Sequence, residues 1–384
     1  MPRFELVEVP LSDRALVERF IRVPWHIHRN VWPNEHWVPP LLMDRRDFLN
    51  PKKNPFFEHA QCAFWLATVD GQDVARIAAV HDIDYERHHG ERVGYFGMFE
   101  CPDDPELARA LIDQALDWLR PRGITRVIGP TELSMNYLFG VLVDAFDREP
   151  GMNMPFNPPY YDALMASAGL RKVKDVFQWG IDVREGLPSR VERMAGLIKT
   201  RESIQLRNID LSDWSNEVER TLEIYNEAWE DNWGFVPIGR KEYQHIAKDL
   251  KMVMHPTMGL MAEVDGEPVA FALTIMNINP ILKKLDGRLF PTGLLRLLWD
   301  LKVAKRVRSG RLVLMGIKAG YRRRGIETLL SVESFRAGRA LGWPGGEIGW
   351  TLEDNDMVNR AIEAMRGEKI ATYRMYETEL APPP

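Results

Sequence analysis

With 384 residues, the chain is too long for one hydrophobic core and suited to two, because single cores stop growing at roughly 250 to 300 residues. A hydrophobic share of 45% and a charged share of 27% exclude a disordered or membrane-embedded chain. The net charge of -5 excludes a global basic field for nucleic acid, and two cysteines, Cys62 and Cys101, exclude a disulfide framework.

Residues 1–20 place charges in every turn and lack the apolar run of a signal peptide, and no segment reaches the ~18 apolar residues of a spanning helix. A cytoplasmic protein is expected, with any membrane contact peripheral. In chain order, FELVEV predicts a strand and residues 12–28 a helix with Ser12 at its N-cap. A Pro- and Trp-rich loop leads to a hairpin over 61–80, turning at Asp70-Gly71. The strand VGYFGMFEC follows, then a helix from Pro105 that carries Leu107, Leu111, Ala115 and Trp118 on one face and stops at Pro121 and Gly123. The strand TRVIGP, a helix around YDALMASAG and the strand KVKDVFQWGIDV complete the first half.

From about residue 204 the order repeats: strand IQLRNI, helices over 213–233 and 240–252, a hairpin turning at Asp265-Gly266, strand RLVLMGIK, helix 325–342, strand EIGWTLED, helix 355–365 and strand IATYRMYETEL. A repeat of roughly 180 residues is a duplicated domain rather than a solenoid. The expected fold class is α+β with mixed sheets, in two tandem domains over 1–185 and 186–384.

Chemistry concentrates in MGIKAGYRRRGIETLL, residues 315–330. An apolar strand runs into an Arg-rich turn that opens a helix at Gly325. Free amides at a helix start and the positive end of its dipole attract phosphate, and Arg322, Arg323 and Arg324 add charge. The competing reading is a solvated basic turn. The segment resembles the pyrophosphate loop of GNAT acyltransferases, in which Arg or Gln is followed by two residues, Gly, one residue, and Gly or Ala; the last small residue is Glu327 here. The resemblance implies acyl-CoA as co-substrate and no metal. It further implies a slot for the pantetheine arm between 314–318 and 350–353, and cofactor contacts from Ile317, Lys318, Arg322, Arg323, Arg324, Gly325, Ile326 and Asn355. The Tyr that often serves the family as general acid, seven residues after that Asn, is Ile362 in this chain. Nearby Glu353, Asp354, Tyr373 and Tyr376 are candidate replacements.

Amine attack on a thioester needs a base and oxyanion donors. Glu353, Glu100 and Tyr373 are the catalytic candidates, Glu100 in case the acceptor lies between the domains. The first half lacks the loop: Asp103, Asp104 and Glu106 stand where phosphate would bind and repel it, so the N-terminal domain is expected to be degenerate and given to acceptor recognition or support. Asn136, Asn157, Tyr160 and Tyr161, in a dense Asn-, Pro- and aromatic-rich stretch, are candidate acceptor contacts; the alternative is an ordered loop whose amides satisfy its own backbone. Residues 281–308 form a basic, Leu-rich insertion suited to an anionic bilayer surface, to a lid over an acyl chain, or to plain packing. His26 and His28, like His88 and His89, have no companions at metal-ligand spacing.

PFFEHAQCAFWLA, GYFGMFEC, NPPYY and YNEAWEDNWGFVP resemble the tandem GNAT-like group that includes the bacterial ceramide synthases. That resemblance implies transfer of a long-chain acyl group to the amine of a sphingoid base, with a lipid amine as partner. An aminoacyl transferase of the Fem-like kind, a non-catalytic acyl-CoA-binding or scaffold protein, and an acyl-carrier protein as donor stay open from sequence, as does the oligomeric state.

Overall fold

The computed structural model describes residues 4–201, 203–230 and 232–381. Asp231, inside the expected helix over 213–233, lies outside the described residues, as do Met1–Arg3 of the N-terminal reading. Contacts divide the chain into one unit of 1–175, 282–296 and 372–384 and another of 176–281 and 297–371. The repeat places its boundary at 185/186; contacts cut earlier, because one strand is shared out between the units.

The first unit contains β1 (Glu5–Glu8), α1 (Arg14–His26), α2 (Leu42–Phe48), β2 (Ala60–Val69), β3 (Gln72–Asp82), α3 (Ile83–His89), β4 (Val93–Glu100), α4 (Pro105–Leu119), β5 (Arg126–Thr131), β6 (Val141–Leu142) and α5 (Tyr161–Ser167). The cap of α1 is Asp13 rather than Ser12, its carboxylate accepting from the Ala15 and Leu16 amides. The β2–β3 hairpin turns at Asp70 and Gly71 with both φ positive, as a two-residue turn between twisted strands requires. Strands β1 to β4 pair antiparallel in sequence, and β4 then pairs parallel with β5. Helix α4 buries Leu107, Leu111 and Ala115 in the core with Ile77, Phe96 and Val127.

The strand β7 (Arg171–Asp182) passes from the first unit into the second, which continues with α6 (Ser189–Arg201), β8 (Gln205–Asn208), α7 (Trp214–Trp229), α8 (Arg240–Met252), β9 (Met254–Val264) and β10 (Glu267–Met276). Then follow α9 (Asn279–Leu285), α10 (Gly293–Lys302), β11 (Gly310–Ile317), α11 (Ile326–Ala340), β12 (Gly345–Leu352), α12 (Asp356–Ala364) and β13 (Glu368–Glu379), of which residues 282–296 and those from 372 on count with the first unit. Strands β8 to β11 pair antiparallel, β11 pairs parallel with β12, and β12 is flanked by residues 176–182 of β7. In the first unit the matching flank beside β5 comes from the chain end, with Tyr376–Glu379 of β13 against Arg126–Gly129. Each half thus repeats one pattern, antiparallel strands leading to a parallel pair joined by a helix, and closes it with a borrowed strand.

Candidate functional site

In the second unit the parallel pair opens. Strands β11 and β12 pair only at Arg311–Glu347 and Leu312–Ile348. Beyond that point β11 stays with β10 as far as Ile317, while β12 stays with β7 through Thr351 and Leu352. A wedge therefore opens toward the strands' C-terminal ends. Central strands are normally buried, yet Val313, Leu314, Met315 and Ile317 are half-exposed, as are Ile348 and Trp350. Buried Arg311 stands at the apex of the wedge, donating to the Gly349 carbonyl at 2.8 Å with its guanidinium 5.0 Å from the Trp350 ring. In the first unit the ladder between β4 and β5 runs on to Gly97–Thr131, and a Cβ on Gly97 would fall 1.5 Å from the Thr131 carbonyl oxygen. Strand β4 is buried over Val93–Phe99, and no wedge opens between these two strands.

The turn after β11 takes the tight form the sequence suggested. Arg323 and Gly325 are both left-handed, at φ 62° and 84°, and Gly325 caps α11. The amides of Ile326 and Glu327 are the open donors of a helix start, with positive dipole behind them. Some of the predicted cations have partners within the chain. Lys318 donates to Glu223 at 2.5 Å, the Ala319 amide to Glu227 at 2.6 Å, and Arg322 to the Glu227 and Ala228 carbonyls at the end of α7. These contacts fasten the turn to α7; Arg323 and Arg324 are exposed, Arg324 lying 4.8 Å from the Tyr321 ring. Glu327 is half-buried in the first turn of α11. Ile326 belongs to the core.

Glu353 is half-buried just past β12, and Asn355 accepts from the Val358 amide to cap α12. Ile362 is buried, 4% exposed. Sequence reading missed Asn359, 8% exposed, which donates to the Leu352 carbonyl while its own carbonyl oxygen has no partner among the described residues. Tyr373 and Tyr376, near Glu353 in sequence, belong to the first unit, where Tyr373 is 1% exposed and Tyr376 donates to Asp162. Beneath α7 and α8 a partly open cavity of about 40 Å³ is lined by Trp214, Val218, Ala247, Phe271 and Leu273, together with Leu314 of the wedge strand.

The other candidates lie in the first unit. Glu100, at the end of β4, accepts from the Tyr161 hydroxyl at 2.8 Å, and that hydroxyl in turn accepts from the Cys101 amide at 3.0 Å. Burial raises the Glu100 carboxyl above its usual range and raises the Tyr161 phenol further. Tyr160 donates to the Cys101 carbonyl. Asn157 is spent on backbone: it accepts from the Leu142 amide and donates to the Leu142 and Pro158 carbonyls. Asn136 sits in the turn after β5, its amide donating to the Ser134 hydroxyl. Asp104 caps α4 by accepting from Leu107, so a carboxylate of the chain occupies that helix start. Sequence reading missed Arg76, an arginine set in the apolar strand VARIAAV; it is 6% exposed and 3.6 Å from Glu100.

No family model matches the chain. It is 36% identical over 383 residues to the bacterial ceramide synthase of Caulobacter vibrioides (strain NA1000 / CB15N), covering 98% of each chain. It is 34% identical over 358 residues to Protein YghO of Escherichia coli (strain K12), covering 91% of this chain and 90% of that one. Among solved structures, a tandem GNAT protein from the clavulanic acid biosynthesis pathway matches at TM-score 0.59 with 13% identity, covering 99% of this chain and all of that one. A GCN5-related N-acetyltransferase from Sphaerobacter thermophilus matches at 0.55 with 14% identity, covering 100% and 97%. The structural likenesses establish the fold.

Proposed function

Because the chain belongs to the bacterial ceramide synthase family, we propose that it moves a long-chain acyl group from acyl-CoA to the amine of a sphingoid base. Family and fold together make it an acyl-CoA-dependent N-acyltransferase of GNAT type; chain length and acceptor are the proposed part. The observation that carries the reading is the wedge between β11 and β12 ahead of the 318–326 turn.

The pantetheine arm enters the wedge, and the diphosphate rests on the start of α11 beside Arg323 and Arg324. The amine attacks the thioester carbonyl carbon, the carbon–sulfur bond breaks, and CoA leaves as the thiol. Glu353, half-buried just past β12, takes the amine proton, directly or through water, and backbone amides of β11 on the side that faces the wedge are the oxyanion donors. The degenerate first unit serves the acceptor. The apolar cavity that Leu314 helps to line takes the end of the acyl chain. Ala247→Phe, which fills that cavity, is expected to cut turnover of palmitoyl-CoA about tenfold while sparing octanoyl-CoA, as the loss of a buried apolar subsite demands. An unchanged chain-length profile would remove the cavity from the reading.

A lipid acceptor also suits α10, whose polarity is inverted. Asp300 is 2% exposed, while Leu295, Leu298 and Trp299, at helical spacing on one face, are 70%, 41% and 59% exposed. Phe290 before α10 and Val303 after it are exposed as well, and so are Arg296, Lys302, Lys305 and Arg308 in the same stretch of sequence. We read this as a peripheral contact with an anionic bilayer. Trp299→Asp is expected to lower sedimentation with phosphatidylglycerol vesicles at least tenfold and to leave the melting temperature in place, because the indole is largely solvent-exposed in the free protein. The central test is incubation with palmitoyl-CoA, acetyl-CoA and sphinganine, following free thiol and lipid product. Long-chain amide supports the reading; thiol release without amide, or no release, refutes it.

A further inference from the structure

Arg76 and Glu100 are the inner part of a larger buried cluster in the first unit, at the C-terminal ends of its parallel strands, where open α/β sheets place their ligands. Arg76 donates through Nη1 to the Phe20 carbonyl at 3.0 Å and reaches Glu100 through Nη2, but its buried Nε has no partner among the described residues. Just past β5, Glu132 accepts from Arg45 Nη1 of α2 at 2.8 Å, while Arg45 Nη2 is likewise buried without a partner. Thr131, the preceding residue, is 3% exposed with an unpartnered hydroxyl, and His28, 2% exposed and within the field of Arg76, has neither ring nitrogen paired. Glu132 and Arg45 act through space on Glu100 with opposite sign, so both ion pairs belong to one electrostatic site.

Structural ion pairs rarely leave buried guanidinium N–H groups idle, because each unmet donor has given up its water and gained nothing in return. Here two such donors and a hydroxyl accompany two carboxylates that repel one another. We propose that this cluster is a binding site for the polar head of the acceptor, an amine flanked by hydroxyl or carbonyl oxygens. The spare N–H groups of Arg45 and Arg76 with the Thr131 hydroxyl take the oxygens, and the amine is left unengaged as the nucleophile. Tyr161, held between Glu100 and the Cys101 amide, fixes the inner carboxylate. The inference rests on the acceptor being a sphingoid-type amine and adds the residues that select it. An alkylamine without oxygens leaves the guanidinium donors unmet, so the site discriminates by what it would otherwise strand.

Calorimetric titration of the full chain with the water-soluble eight-carbon 2-amino-1,3-diol and with octylamine tests this. Wild type is expected to bind the aminodiol about tenfold more tightly, the effect of one or two charge-assisted hydrogen bonds. Arg45→Met is expected to bring the two within about twofold by weakening the aminodiol alone. Thr131→Val, nearly isosteric, narrows the gap in the same direction and decides the matter if Arg45→Met does not fold. Equal binding of both amines by wild type, no binding of either, or a gap untouched by the foldable variants overturns the site. Parallel assays with palmitoyl-CoA separate this from the transferase reading. Discrimination without amide formation sinks the reaction and keeps the site, and amide formation without discrimination does the reverse.

Discussion

Gly325→Trp is expected to weaken CoA binding by at least tenfold and to abolish acyl transfer at ordinary donor concentrations. Gly325 is left-handed at φ 84°, a conformation that costs an L-residue roughly 1–2 kcal/mol, and a Cβ there would lie 2.5 Å from Ile198 Cδ1. Ile198 is in the core under α11, so its side chain has little room to retreat. The turn must then move away, carrying with it the amides of 325–327 that define the anion site. Each 1.4 kcal/mol lost from diphosphate binding is a factor of ten in affinity. Calorimetry with CoA, alongside the melting temperature, separates a lost site from a lost fold. Arg323→Gly is the companion: it relieves a left-handed non-glycine at φ 62° and is expected to raise stability by about 1 kcal/mol while the turn persists. Undiminished CoA affinity in the Trp variant would move the diphosphate away from residues 322–327.

Local chemistry made much of this fold legible. Two Asp-Gly turns, both with positive φ at each residue, fixed the hairpins, and α8 spans Arg240–Met252 as its periodicity predicts. The short helices α2 and α3 are illegible because nothing in a turn or two of apolar residues separates a helix from a loop, whereas α6 carries a readable signal, Val191, Ala195 and Ile198 at helical spacing in a charged stretch. The wedge is legible only by analogy: Leu314 and Trp350 look like ordinary strand residues, and it is the end of pairing after Leu312 that exposes them. The partners of Lys318 and Arg322 within the chain are illegible for a related reason. A cation beside a glycine turn attracts any anion, and sequence cannot show that Glu223 and the end of α7 arrive first. Arg76 carried a signal that was passed over, since an arginine inside VARIAAV must find a buried partner or cost several kcal/mol. Two carboxylates at the ends of parallel strands, Glu100 and Glu132, supply that setting only once β4 and β5 are known to be neighbours.

Between pH 6.5 and 5 the protein is expected to lose about 2 kcal/mol of stability through His28 alone, and His28→Phe to be spared that loss. The ring is 2% exposed and stacks on Trp37, its centroid 4.7 Å away and the two planes nearly parallel, with Phe156 at 6.0 Å. Burial first, and the Arg76 charge second, lower its proton affinity from the ordinary 6.5 to about 3. The folded protein therefore keeps this imidazole neutral while the unfolded chain takes up a proton once pH falls below 6.5. A depressed native value means the contribution to stability is complete above 6.5 and is withdrawn as pH falls toward 3; over the first 1.5 units, at about 1.4 kcal/mol per unit, this comes to about 2 kcal/mol. Phenylalanine preserves the stack on Trp37 at nearly the same volume, so its effect at pH 7.5 is expected to stay below about 1.5 kcal/mol. Urea unfolding at pH 7.5 and at pH 5.0 reads the difference directly. If the wild type and the Phe variant lose stability in parallel, the imidazole is not held neutral and finds a partner that compensates its proton.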